Sequence, residues 1–279
     1  MTSLAPRQRN TRVSPRPRLR ARLVAVAVAA LVCVPLVTVT AQAALNARGN
    51  ARAYKFISRS SAGDPVARWN PCARIGYRVN ARLGGRGALA DTRGALERIH
   101  DVTGLRFVYR GRTRIIPGGN GGSRYPRDTQ LVVSWARPRQ TSLLDAAGVA
   151  GQGGPSWVIW NEGDKTKAMI TRGFVVLNAN LDLGGGFGGG VHNGWVGTRG
   201  QLLMHELGHA VGLDHPRQDD RWEIMYPTMT DKPAVWGAGD RNGLHRLGAT
   251  RGCLQPPGSS AGFQRSATPG PRTGSAHRR

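Results

Sequence analysis

The residues with the clearest chemical content lie close together in the second half of this 279-residue chain. His205 and His209 are four apart, one helical turn, so on a helix both imidazoles project from the same face. A pair at that spacing can share a tetrahedral Zn²⁺. Glu206 is too close in sequence to ligate beside its neighbour, but it is placed to reach a water on the metal. Gly212 can adopt a positive φ and end the helix in a sharp turn, after which the chain swings His215 back as a third nitrogen ligand. Three protein ligands leave one position open, which marks a catalytic site more than a structural one. The chain's own composition gives a chance occurrence of this pattern on the order of 10⁻⁵, far below that of a bare HExxH. That arithmetic disfavours the competing reading, an ordinary amphipathic helix with two histidines and a third nearby. Glu223 is an alternative third ligand, 14 residues beyond His209, but His215 fits the spacing better.

These side chains need a scaffold. Thr198 with Gln201 three residues later reads as a capping box opening the histidine helix. Upstream, residues 75–80 alternate like a strand, and residues 88–102 keep apolar residues near helical spacing until Gly104. Residues 105–109 and 131–135 are β-branched and aromatic, hence strands. A Gly-rich stretch, 148–154, leads to 157–160, and 169–178 is a further strand. The run 184–190 (GGGFGGG) reads as a loop, because each Gly weakens regular structure. A last short helical segment, 240–247, carries an Asp cap at its start and Leu244 and Leu247 on one face. The order β-α-β-β-β followed by a strong helix is an α+β pattern.

The run from His205 to His215 (HELGHAVGLDH) resembles the HExxHxxGxxH signature of the metzincin metallopeptidases. Ile224-Met225-Tyr226-Pro227 is similar to their Met-turn, in the Met-Tyr-Pro form of the matrixins. The resemblance spans roughly residues 72–253, with the specific motifs confined to 205–227. It implies a metzincin-like fold: a twisted, mostly parallel sheet, two long helices, a zinc cleft and a small irregular C-terminal subdomain after Gly212. It implies a zinc endopeptidase in which Glu206 is the general base, Met225 underlies the metal, and Tyr226 and Pro227 line a substrate pocket. Extended substrate would add to an edge strand, either 148–154 or 157–160. The chain departs from the matrixins in two ways. No unassigned cysteine precedes Cys72 to act as a latency switch, so thiol-reactive mercurials are not expected to activate it. The matrixin His-rich loop is also missing: His192 stands alone, and His100 and His245 lie on expected helices without partners at ligand spacing.

Composition bounds the rest. The charge is +24, from 40 Lys plus Arg against 16 Asp plus Glu, and only Lys55, Lys165, Lys167 and Lys232 are lysines. The arginines are scattered, whereas a nucleic-acid module concentrates them. Residues 1–43 have the build of a signal peptide: seven arginines, an apolar run over 23–39, then Ala41-Gln42-Ala43. Cleavage after Ala43 leaves +17 and a secreted protein; the alternative is an N-terminal anchor, the run being barely long enough to span a bilayer. Cys33 leaves with that segment. Cys72 and Cys253 remain, and two cysteines in an exported chain usually pair. In the fold that the resemblance implies, the final helix packs back near the sheet, so these ends of the domain can meet. Residues 44–71 read as a basic arm, 72–255 as the catalytic domain, and 256–279 as a disordered tail. The expected partners are a protein or peptide substrate and anionic surfaces, met by a monomer. A non-enzymatic basic surface-binding protein with a vestigial zinc site is the rival reading, and intact Glu206 argues against it.

Overall fold

A computed structural model describes residues 48–59, 63–119, 124–146 and 148–257. The expected signal segment and nearly all of the expected tail lie outside them. The elements run β1 (Lys55–Phe56), β2 (Arg74–Asn80), α1 (Ala88–Thr103), β3 (Arg106–Arg112), β4 (Leu131–Ala136), β5 (Gly151–Glu162), β6 (Lys165–Asn178), β7 (Val191–His192), β8 (Trp195–Val196), α2 (Arg199–Val211), β9 (Leu213–Asp214) and α3 (Ala238–Leu247). Five strands form one sheet in the order β3-β2-β4-β6-β5. All neighbours are parallel except β5, which runs antiparallel to β6 on the edge. The result is a mixed α+β architecture with a mostly parallel sheet.

The period-two rule assigns the two sheet faces. Val175 and Leu177 join the main core with both long helices, while Val176 between them joins a smaller cluster with Leu144 and Val149. All six residues of central β4 are buried, as a strand covered on both faces requires. Helix α1 contributes Ala95, Leu96 and Ile99 to the main core, and α2 contributes Leu203, Met204 and Leu207. Gly104, at φ 70°, ends α1 as expected.

Three expectations are corrected. The stretches 148–154 and 157–160 are not separate segments: both fall in or beside the single strand β5. Pro155 lies within it, opposite Gly173 on an edge strand, where a missing N–H is tolerated. Asp240 caps the last helix from within its first turn and not from the position before it: α3 starts at Ala238 with Gly237 as its cap residue, and the Asp240 carboxylate accepts the Gly237 N–H at 3.3 Å. Residues 48–59 and 63–71 are not a loose arm, because Ala53, Phe56, Ala67 and Trp69 are buried. Strand β1 pairs antiparallel with β9, and the Trp69 indole N–H donates to the Ala210 carbonyl at 3.1 Å.

Candidate metal centre

Helix α2 carries the first two histidines, and its ends are tied down. The Thr198 hydroxyl accepts the Gln201 N–H at 3.3 Å, which is half of the expected capping box. The other half does not form: the Gln201 side chain donates to Thr230 at 2.9 Å, fastening the helix start to the irregular segment between β9 and α3. At the other end Gly212 takes φ 116°, a left-handed conformation open to glycine. Its carbonyl accepts the Ile57 N–H at 3.0 Å. The turn into His215 is therefore braced by the N-terminal segment.

The three histidines converge. His215 Nε2 lies 3.1 Å from His205 Nε2 and 3.1 Å from His209 Nε2. His205 Nδ1 is 2.6 Å from the Ile224 carbonyl, and His209 Nδ1 is 2.8 Å from the Leu213 carbonyl. A carbonyl can only accept, so both Nδ1 atoms carry the proton and both Nε2 atoms present lone pairs. His215 Nε2 brings at most one proton to two such neighbours. At least one pair of lone pairs therefore faces across the gap, an arrangement that a cation relieves. Burial also disfavours charge on two of the rings: it lowers the His209 pKa, and it lowers that of His215 to about 3, helped by the charge that His209 would carry. One nitrogen from each histidine lies within 4.8 Å of the others, a donor set that fits a metal ion.

Two residues that carry no motif aim His215. The Asp214 carboxylate accepts the His215 N–H at 2.8 Å through one oxygen and the Lys55 ammonium at 2.5 Å through the other. Burial alone would raise the Asp214 pKa, but Lys55 and the His215 N–H hold it below the usual carboxylate value. The pairing of β1 with β9 sets Lys55 opposite Asp214, a relation no local sequence pattern could reveal.

Glu206 is buried, and burial pushes its carboxyl up to about 8 although the Gly153 N–H donates to it. The glycines of β5 make that approach possible. A Cβ on Gly153 would lie 2.0 Å from the Glu206 carbonyl oxygen, and one on Gly151 would lie 3.0 Å from the Glu206 side chain. The Gly-rich stretch is thus a contact surface between edge strand and helix.

Met225 packs beneath α2. A Cβ on Gly208 would meet the Met225 sulfur at 2.4 Å, so glycine is required there for the two to touch. Two buried carboxylates organise this turn. Asp240 accepts the N–H groups of Ile224 at 2.5 Å and Met225 at 3.3 Å. Glu223 accepts those of Gly239 at 3.0 Å and Asp240 at 2.7 Å, and thereby caps α3. Glu223 is therefore occupied away from the imidazoles, which answers its candidacy as third ligand. Burial raises both acids; repulsion from Glu223 adds to it at Asp240, and repulsion from Asp220 adds to it at Glu223, which is pushed up to about 7. Because Ile224 holds His205, Asp240 steadies a possible ligand at one remove. Sequence patterning recognised neither acid in this role; two acids flanking a turn and a helix start were the available signal.

Tyr226 and Pro227 follow Met225 and are half-buried, with Arg221 stacked over the Tyr226 ring at 5.7 Å. His192 is exposed on β7, 3.2 Å from the Asn193 amide. His100 Nδ1 bonds the Leu105 carbonyl at 2.9 Å. Neither belongs to a metal-competent cluster among the described residues. Cys72 and Cys253 form a disulfide, with Cα atoms 5.5 Å apart. The molecule is thus a mixed α+β protein with a three-histidine candidate metal site on one helix and the turn after it. No family model and no curated protein matches the chain.

Proposed function

We propose that the protein is a secreted zinc-dependent endopeptidase of metzincin-like, matrixin-type design, with His205, His209 and His215 as the metal ligands. The observation that carries this reading is the convergence of three Nε2 atoms beside a buried glutamate that faces the edge strand. Three neutral imidazoles with one position open suit Zn²⁺. Bound there, the ion would supply Lewis acidity that acidifies a water and polarises a peptide carbonyl. The protein's own groups do the rest. Glu206 accepts the proton of the attacking water and delivers it to the leaving amine as the C–N bond breaks. Strand β5 offers extended peptide an antiparallel partner, so that substrate backbone is positioned by main-chain hydrogen bonds. Tyr226 and Pro227 would border the pocket for the residue after the scissile bond.

The deciding experiment incubates purified protein with a peptide library, with and without a zinc chelator. Cleavage that is abolished by the chelator and restored by Zn²⁺ is expected. A zinc-loaded protein that cleaves nothing would instead favour a non-enzymatic, basic surface-binding protein.

A further inference from the structure

Away from the histidines, a groove of about 790 Å³ opens at the carboxyl ends of β2 and β3, walled by Arg82, Arg112, Arg114 and the first turn of α1. A second recess of about 210 Å³ adjoins it; Arg82 and Arg114 line both, and Arg137 extends the wall past the end of β4. All four arginines are exposed. No Asp or Glu lines either recess, and none of the four makes an ion pair among the described residues. Other arginines of this chain are engaged: Arg199 pairs with Asp91, Arg78 with Asp128, and Arg98 stacks on Phe187. The groove instead concentrates guanidinium groups that no ion pair among the described residues neutralises, which raises the local potential. Its place fits a ligand site, since open sheets bind ligands outside the carboxyl ends of their parallel strands. The α1 N-terminus adds partial positive charge. Its cap residue Gly87 offers no side-chain acceptor, and Asp91 in its first turn is committed to Arg199 and the Gly186 N–H.

We propose that this groove binds a linear polymer of repeated phosphate groups, with Arg82 and Arg114 at the centre and Arg112 and Arg137 on the flanks. Guanidinium forks match phosphate oxygens bidentately, which makes arginine well suited to such a wall. Four forks spread over two recesses exceed what one phosphate can use. Single-stranded nucleic acid is the less favoured occupant because it needs aromatic faces for stacking; the one aromatic lining the wall, Trp135, is 5% exposed. Such binding would hold the protein on a phosphate-rich surface, and it stands independently of the metal site.

Fluorescence anisotropy with labelled inorganic polyphosphate tests this. The Arg82→Gln/Arg114→Gln protein should bind at least ~10-fold more weakly, with a salt dependence shallower by about one for each arginine removed. Arg74→Gln/Arg106→Gln removes the same charge from the amino ends of β2 and β3, and should change affinity less than about threefold. Equal losses from both pairs would reduce the effect to net charge and overturn the proposal. So would orthophosphate competing as well as the polymer at equal phosphate concentration, or tighter binding of single-stranded DNA. On the unsubstituted protein, polyphosphate should shield Arg82 and Arg114 from phenylglyoxal while Arg74 and Arg106 still react. Uniform labelling would count equally against the groove.

Discussion

At the scale of single residues, the site divides its tasks among neighbours. His205 and His209 present Nε2 because backbone carbonyls claim their Nδ1 protons. Glu206 stands beside them without ligating. Glu206→Ala should keep its metal and lose peptide hydrolysis by at least ~10²-fold, the low end for a general base. His205→Ala should lose the metal itself, as elemental analysis of the two variants would show; an alanine at 205 with stoichiometric zinc would sink the ligand assignment. Lys55 acts from further out, through Asp214 on His215. Lys55→Met should therefore weaken metal binding by about tenfold, the low end for groups that orient ligands. Competition with a chelating dye measures it, and an unchanged affinity would mean that the turn holds His215 unaided.

At the scale of elements, close approach and buried charge dominate. Helix α2 lies so near β5 that Gly153→Ala must push the backbones apart, since the added carbon would meet the Glu206 carbonyl at 2.0 Å. A loss of about 1–3 kcal/mol or more is expected in denaturant melts. Gly188→Ala, with nothing within 4 Å, should stay within about 0.5 kcal/mol. The Glu223–Asp240 pair makes a pH prediction. Both pKa values are raised in the folded protein, Glu223 to about 7. The native state thus holds more protons than the unfolded chain above the ordinary carboxylate range. The pair's contribution is complete at acid pH and is lost as pH rises through about 7. The melting temperature should fall between about pH 5 and 8, and Glu223→Gln should flatten that fall while forfeiting one acceptor. A wild-type slope retained in Glu223→Gln would place the titration elsewhere.

At the scale of the whole molecule, the ends of the domain are fastened together. The Cys72–Cys253 bridge closes a loop of 181 residues, and beside it Asn70 bonds both the N–H and the carbonyl of Leu254. Chain-entropy models assign about 4–5 kcal/mol to loops of this size. Non-reducing peptide mapping of the purified protein should recover the linked pair; two free thiols there would contradict the fold. How much of this was legible in the residues follows from the range of the forces involved. Local patterns sufficed for the histidine helix and its end at Gly212, for β2, β4, α1 and the body of β6, because periodicity and φ preferences act within a few residues. The grouping of His205, His209 and His215 was legible for the same reason, all three lying within eleven positions. The rest waited for the tertiary structure. Only packing against Glu206 explains the glycines of β5, and only strand pairing brings Lys55 to Asp214 across 159 positions. Nothing near Asp240 in sequence announces that it holds the turn at Met225. These relations depend on which surfaces meet once the sheet has formed, and a burial pattern read along the chain carries no record of the partner.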